Sequence, residues 1–475
     1  MGEPHELTML EQAAAVRSGA LSPTELARHY LARIERLNDA VGAYVTVTPE
    51  RALDDAARAE RRLAAGGELP PLLGVPVPVK DLTPVAGVRW TAGSAVFTDR
   101  VAASEPHVVD LLRAAGTVLL GKTNAPEFGL PAYTEGRIAP PARSPYDPAL
   151  MAGGSSGGAA AAVAAGLAPA AHGSDGGGSI RIPASCCGVV GLKPSRGRVS
   201  WAPFGDLTGL AVTGPIARTV RDTAALLDVM AGPVPGDPMP MAALGAAGTS
   251  GASSFLEWCA REPRRLRIGR WARPDVDVPV DPVVLAAYER TSALLAGLGH
   301  EVVDVEQPLG PGDHGSFDPV WEVMALLAPV PAGREGELMP LTRWLRERGR
   351  AASGERFALA MAAMQAVGRK FAAAVAPFDA VLTPTLARLP QPVGTLRDDA
   401  DPAADFAAQY AFTPFTGAWN IAGLPAVSLP VEWTDGGLPI GMMLGAPHGA
   451  EGPLLALAAQ VEAAAPWRQR RPVAW

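Results

Sequence analysis

The sequence predicts an α/β protein. Short β-branched or apolar runs bracket an apolar helix over residues 74–124, and the same strand, helix, strand order returns over 267–305. Three further strand-like runs between 378 and 444 precede a closing helix. Alternation of this kind builds a sheet whose strands are joined by helices lying against it. A chain of 475 residues allows one large unit or two domains. Because the second half resumes the rhythm of the first, the chain is read as one domain over 1–475.

Each element follows from local pattern. Residues 8–36 place Leu10, Ala14, Leu21, Leu26, Tyr30, Leu31 and Ile34 near a helical period, with Ser22-Pro23 opening the second of two helices. This helical segment covers about 5–65, and a core segment of about 70–232 follows. There, Gly74-Val-Pro-Val-Pro-Val-Lys80-Asp81 reads as a short strand ending in polar residues, 107–115 as a helix and 117–124 as a buried strand closed by a turn. From 147 to 197 Gly and Ser are dense, with an Ala-rich helix over 158–166 between two glycine loops, and a helix over 219–230 ends the segment. Residues 232–265 are rich in Pro, Gly, Ala and Ser and read as a connection. In the C-terminal part, about 266–475, strands are expected at 267–271, 301–305, 378–385, 423–430 and 438–444. Helices are expected at 282–298 and 452–464, with an amphipathic helical stretch over 315–375.

Composition narrows the function classes. Forty-eight acidic against 41 basic side chains give a formal charge of −7, and the basic runs at 261–270 and 468–471 are short. This argues against nucleic acid, whose binding rests on clustered Lys and Arg that displace counterions from phosphates. Three cysteines, two of them adjacent at Cys186 and Cys187, form no disulfide framework and show no zinc-ligand spacing. A reducing cytoplasm fits best, and neither a metal nor an organic cofactor is expected. Residues 1–10 lack the apolar run of a secretory signal, and no apolar stretch is long enough to span a bilayer. A homodimer is compatible with the sequence, which does not set the oligomeric state.

The chemistry is expected in two loops, Gly153-Gly-Ser-Ser-Gly-Gly158 and Gly173-Ser-Asp-Gly-Gly-Gly-Ser-Ile-Arg-Ile-Pro183. Neither has the phosphate-binding spacing of a P-loop or a dinucleotide fingerprint. Alone, each reads as a turn; together, downstream of a strand ending in Lys80, they suggest a site. A serine hydroxyl needs a base to become a nucleophile, and the tetrahedral oxyanion it forms needs preorganised donors. Gly176, Gly177 and Gly178, immediately before Ser179, free successive N–H groups to turn toward one point. The seven histidines lie in no recognisable catalytic motif and no G-x-S-x-G elbow surrounds Ser179. Lysine is then the natural alternative base, because burial disfavours its charged form.

These loops, with Cys187-Gly-Val-Val-Gly-Leu-Lys-Pro194, the run ending in Lys80-Asp81, Gly121-Lys-Thr-Asn124 and Gly214-Pro-Ile-Ala-Arg218, resemble the amidase signature family over roughly residues 5–465. The resemblance implies the family's fold, a large mixed, twisted central sheet covered by helices on both faces. It implies hydrolysis of a carboxylic amide through a serine acyl-enzyme. The family's Ser-cis-Ser-Lys triad falls on Ser179 as nucleophile, Ser155 as bridging serine and Lys80 as base, with Gly176, Gly177, Gly178 and Ser179 supplying the oxyanion hole. One departure is Gly176, where many members carry Ile or Thr, and a looser loop or a wider pocket is expected there. Asp175 and Arg181 resemble a structural ion pair, and Lys193 is assigned to the scaffold as well. Asn124, Ser156, Trp321 and Trp419 are candidates for contacting substrate.

Segments 126–134 and 174–187 look most like the branch of 6-aminohexanoate cyclic-dimer hydrolases. A pocket drawn from 317–331 and 410–421 supplies Phe317, Trp321, Met324, Phe412, Phe415 and Trp419 and few charges. Alkyl, aryl or aminohexanoate-type amides are therefore the expected small-molecule substrates. The alternatives are a glutaminase resembling the amidase-like component of glutamyl-tRNA amidotransferase, working with partner subunits, and a non-catalytic binding protein on the same fold.

Overall fold

The computed structural model of the protein describes residues 2–242, 244, 252–473 and 475. Thirteen strands are defined among them: β1 (Tyr44–Val47), β2 (Val79–Lys80), β3 (Gly121–Thr123), β4 (Arg143–Ser144), β5 (Asp147–Met151), β6 (Ala170–Asp175), β7 (Val190–Lys193), β8 (Val212–Ala217), β9 (Arg267–Arg270), β10 (Glu301–Asp304), β11 (Ala380–Pro384), β12 (Ala426–Trp433) and β13 (Pro439–Gly445). Eleven make one mixed sheet in the order β1-β3-β2-β6-β8-β7-β12-β13-β11-β9-β10, while β4 and β5 form a separate hairpin. β2 runs parallel to both β3 and β6, and β9 parallel to both β10 and β11; the remaining neighbours are antiparallel.

Side chains alternate across a strand, and here both faces are covered. On β11, Ala380 and Leu382 join one apolar cluster while Val381 joins another; on β13, Met442 and Leu444 divide from Met443 in the same way. The first cluster is closed by helices His107–Ala114, Val220–Met230, Pro282–Gly297 and Glu451–Ala464. The opposite face is closed by Pro23–Val41, Gly157–Ala164 and Arg181–Cys187 under the first half of the sheet, and by Gly354–Val375 and Gly417–Ala422 under the second.

The segment expected to be helical over about 5–65 holds a third helix beyond the two read from the apolar period. The helix Pro49–Ala65 starts on Pro at its first turn and buries only Ala52, Ala56 and Ala59. Leu53 packs beside these alanines against the same core. Strand β1, the β4–β5 hairpin and the helix Pro402–Phe412 were not expected. The stretch expected as a helix over 315–375 is three helices, Phe317–Leu326, Pro340–Ala351 and Gly354–Val375. Part of the expected connection, residues 243 and 245–251, lies outside the described residues.

Candidate active site

Parallel strands end on the same side of a sheet, and their carboxyl ends are where loops gather functional groups. β2 and β6 are such neighbours, with Val79 paired to His172. Lys80 closes β2, Asp175 closes β6, and the turn 176–180 leads into the helix Arg181–Cys187. The other loop links β5 to the helix Gly157–Ala164, and its Gly154–Ser155 peptide is cis. A Cβ on Gly154 would lie 2.7 Å from the Tyr133 backbone, so only glycine lets the two segments pass this closely.

The buried Lys80 side chain places Nζ 2.8 Å from Ser155 Oγ and donates to the Ser174 carbonyl at 3.2 Å. Burial holds its pKa well below the ordinary lysine value, with the Asp175 carboxylate opposing the shift. A shift in this direction favours the neutral amine, the form that can accept a proton. Ser156 fastens the two loops together. Its N–H donates to the Ser179 carbonyl at 3.0 Å, its hydroxyl donates to the Ser174 carbonyl at 3.0 Å, and Ser174 N–H donates back at 3.3 Å.

Asp175 organises the turn around Ser179. Its carboxylate accepts Arg181 Nη2 at 2.9 Å and Nε at 3.0 Å, Gly178 N–H at 2.8 Å, Ile180 N–H at 3.1 Å and Asn420 Nδ2 at 2.9 Å. Although burial alone would raise its pKa, the guanidinium of Arg181 leads the groups that hold the carboxyl well below the usual range. Arg181 also donates to the Thr416 carbonyl and to Asn420 Oδ1, at 3.0 and 2.7 Å. The ion pair is thus the scaffold of the turn. Lys193, whose Nζ donates to the Pro194 carbonyl, is fully buried, and burial pushes its pKa down to about 7.

This scaffold corrects the expected oxyanion hole. The Gly178 amide is spent on Asp175, so glycine is required there for conformation: φ is +133° and a Cβ would press on Thr416 Oγ1 and lie 2.7 Å from Ile182 Cδ1. The amides of Gly176, Gly177 and Ser179 find no acceptor among the described residues. The expected widening at Gly176 is corrected too, since a Cβ there would be 3.4 Å from the Trp321 ring. Trp321 occupies the space a larger side chain would fill.

Two cavities meet at Ser179, sharing Leu130, Ser179 and Trp321 as lining. The smaller, about 90 Å³, is walled by Gly177, Ile182, Phe317, Tyr410, Ala418 and Ile421 and carries Asp275 and Asp313 on its lining. The larger, about 290 Å³, holds Ser155, Ser174 and Gly176 beside Trp90, Phe97, Arg100, Trp201, Leu210 and Met324. Phe317 and Trp321 stack at 5.1 Å between ring centroids and form the partition above the glycine turn.

Five residues expected to line the site belong elsewhere. Asn124 is buried with Nδ2 donating to the Gly42 and Pro140 carbonyls at 3.0 and 2.9 Å, while its own carbonyl accepts Gly158 N–H. It ties the β3 turn to the start of the helix Gly157–Ala164 and has no surface on either cavity. Ser156, bonded as described, is also scaffold. Trp419 is 1% exposed, edge-on to Phe371 at 5.0 Å and seated over Gly445; Phe412 and Phe415 are core as well. The segment 410–421 lines the smaller cavity instead through Tyr410, Thr413, Pro414, Gly417, Ala418 and Ile421. Sequence reasoning missed Trp90, Phe97, Arg100, Leu130 and Trp201, which lie in irregular loops where no periodicity marks an inward face.

Among the described residues, one group could offer clustered metal ligands, namely Glu3, His5 and His29. It lines neither cavity, His5 Nδ1 and His29 Nε2 already share a hydrogen bond at 3.0 Å, and burial with Arg33 pushes the His5 pKa down to about 3. No helix among the described residues is long and apolar enough to cross a membrane.

Comparison with known proteins agrees with this geometry. The family model described as Amidase matches residues 25–455. The chain is 36% identical over 500 residues to 6-aminohexanoate-cyclic-dimer hydrolase of Paenarthrobacter ureafaciens, covering 97% of this chain and 95% of the relative. It is 34% identical over 474 residues to an acylamidase of Rhodococcus erythropolis, covering 98% and 97%. A solved structure of 6-aminohexanoate cyclic dimer hydrolase complexed with substrate superposes with a TM-score of 0.90 at 32% identity, over 99% of both chains. By its sequence, its sheet and its relatives, the chain belongs to the amidase signature family and is an amide hydrolase.

Proposed function

We propose that Ser179 is the nucleophile, Ser155 the proton relay and Lys80 the base of a hydrolase acting on apolar carboxylic amides. The observation that carries this reading is the buried Lys80 amine 2.8 Å from Ser155 Oγ, with Ser155 and Ser179 on the wall of one cavity. Neutral Lys80 takes the proton of Ser155 as Ser155 takes that of Ser179, whose Oγ attacks the carbonyl carbon. The oxyanion is met by the amides of Gly176, Gly177 and Ser179. The relay then runs backwards, Ser155 protonates the leaving nitrogen, and water cleaves the acyl-enzyme.

The same relay orients the substrate. Ser155 must face the leaving nitrogen, and it lines the larger cavity only. The amine half therefore occupies the larger cavity and the acyl half the smaller. Mostly apolar walls in both favour hydrocarbon contact on each side, including aminohexanoate-type amides such as those named for the relatives. Glutamine fits less well. Its α-carboxylate would enter the smaller cavity, where the charged lining residues are Asp275 and Asp313, with no Lys or Arg among the described lining.

Kinetics on hexanamide, an anilide, a cyclic diamide and glutamine test this directly. The apolar amides are expected to exceed glutamine in kcat/KM by at least tenfold; glutamine as the best of the four would replace the reading with the amidotransferase-type glutaminase. A fluorophosphonate is expected to label the wild type and not Ser179→Ala. Absence of labelling and of turnover in the wild type would instead favour a binding protein. The continuity of the sheet across both halves of the chain supports function as one unit, and three unpaired cysteines support a reducing cytoplasm.

A further inference from the structure

The larger cavity is not uniformly apolar. Arg100 is the single ionisable side chain of Lys, Arg, His, Asp or Glu type on its described lining. Its guanidinium carbon lies 3.7 Å from the Trp90 ring centroid and 3.8 Å from that of Phe97, so both flat faces are covered. Nε donates to the Trp90 carbonyl at 3.1 Å, and the two Nη groups find no acceptor among the described residues. Stacking on aromatic rings leaves a guanidinium only its in-plane N–H donors for recognition, and those match a carboxylate in paired geometry. The neighbouring carboxylate does not meet this need. Asp81 is buried and already engages Thr91 N–H at 3.1 Å, the Thr91 hydroxyl and Lys122 Nζ at 3.2 Å.

Building on the proposed orientation of the substrate, we infer that Arg100 makes the larger cavity a carboxylate-recognising subsite, and that the enzyme prefers amides whose leaving amine carries a carboxylate. The class is that of N-acyl amino acids. In the reaction the amide C–N bond breaks, the acyl carbon passes to Ser179 Oγ and then to water, and the nitrogen leaves with the relayed proton as the amine of an amino acid. The fixed cation holds the far end of the leaving group while Ser155 faces the near end. An uncharged leaving amine lacks this anchor and relies on contact with Trp90, Trp201 and Met324 alone.

The test compares N-hexanoyl-4-aminobutanoate with N-(4-methylpentyl)hexanamide, in which an isopropyl group replaces the carboxylate. In the wild type kcat/KM for the anionic amide is expected to exceed that for the neutral one at least tenfold, through KM, and this ratio is expected to stay the same between pH 6 and 9. In Arg100→Gln the ratio of the two is expected to fall at least tenfold, with partial recovery in Arg100→Lys. A side chain that only braces the Trp90 and Phe97 rings would lower both substrates equally and leave the ratio in place, which overturns the inference. A wild type that cleaves the neutral amide as well as the anionic one overturns it without any variant, while the assignment of Ser179 stands. If neither amide is cleaved and the fluorophosphonate does not label Ser179, both fall together.

Discussion

At the scale of single residues, the proposed mechanism requires Lys80 to act as a neutral amine. Desolvation lowers the pKa of Lys80, and only the unprotonated form can accept a proton. Activity is therefore expected to fall as pH drops through that lowered pKa, giving an acid limb in the profile of kcat/KM. In Lys80→Met the rate is expected to drop by about 10²–10⁴, the range of general-base loss, and the acid limb to vanish, while the circular dichroism spectrum stays that of the wild type. An unchanged pH profile in this variant would remove Lys80 from the reaction. His172, beneath the site on β6, is a second titrating residue with the opposite outcome. It is fully buried, neither ring nitrogen has a partner among the described residues, and burial holds its pKa at about 3. Between pH 6.5 and 3 the unfolded chain binds the extra proton and the folded one does not, so its contribution to stability is lost as pH falls. The stability of His172→Leu relative to wild type is expected to rise across that window in urea titrations; a constant difference would contradict the burial of a neutral ring.

At the scale of elements, the turn between β6 and the helix Arg181–Cys187 is held by charge rather than by apolar packing. Asp175→Asn leaves the Arg181 guanidinium buried without its counter-charge, which costs about 3–5 kcal/mol when one partner of a buried pair is removed. The pair also sets a pH signature. The folded pKa of Asp175 is depressed, so its stabilisation is complete above the unfolded carboxyl pKa and is lost as pH falls through the folded one. The acid side of the stability curve is expected to flatten in Asp175→Asn, measured by urea unfolding at pH 2–7. Gly178→Ala tests the conformation of the same turn. A positive φ and the approach of Thr416 and Ile182 are expected to cost at least about 1–3 kcal/mol and to lower kcat, because displacement of this turn moves Ser179 and the adjacent amides. Full activity and stability in that variant would show that the turn tolerates a side chain.

At the scale of the whole molecule, the sheet brings together residues far apart in the chain. Lys80, Ser155 and Ser179 come from β2, the loop after β5 and the loop after β6, and the cavity walls add residues from 82–100, 128–132, 201–211, 317–329 and 406–421. Asn420 alone joins the Asp175 backbone, the Asp175 carboxylate, Arg181 and the Leu210 carbonyl. Truncation of this side chain in Asn420→Ala is expected to destabilise the protein by about 1–3 kcal/mol, the cost of leaving buried polar groups unsatisfied, and to reduce kcat more than it raises KM. A variant with wild-type stability would disconnect the C-terminal half from the site.

What the sequence determined by itself was local in character. The β-branched run ending at Lys80, the glycine repeat before Ser179 and the Ala-rich helix between the loops are short patterns whose backbone consequences need no distant partner, and the structure has each of them in place. Strand β1 and the β4–β5 hairpin escaped because strands of two to five residues are too short to show a period. Tertiary structure alone decided the use of each group, because burial and hydrogen-bond partners depend on how separate segments and loops pack together. It committed the Gly178 amide to Asp175, turned Asn124, Ser156 and Trp419 into scaffold, filled the space above Gly176 with Trp321, and set Arg100 between two aromatic rings on the cavity wall. Residue type states what a side chain can do; only the fold determines which partners have already claimed it.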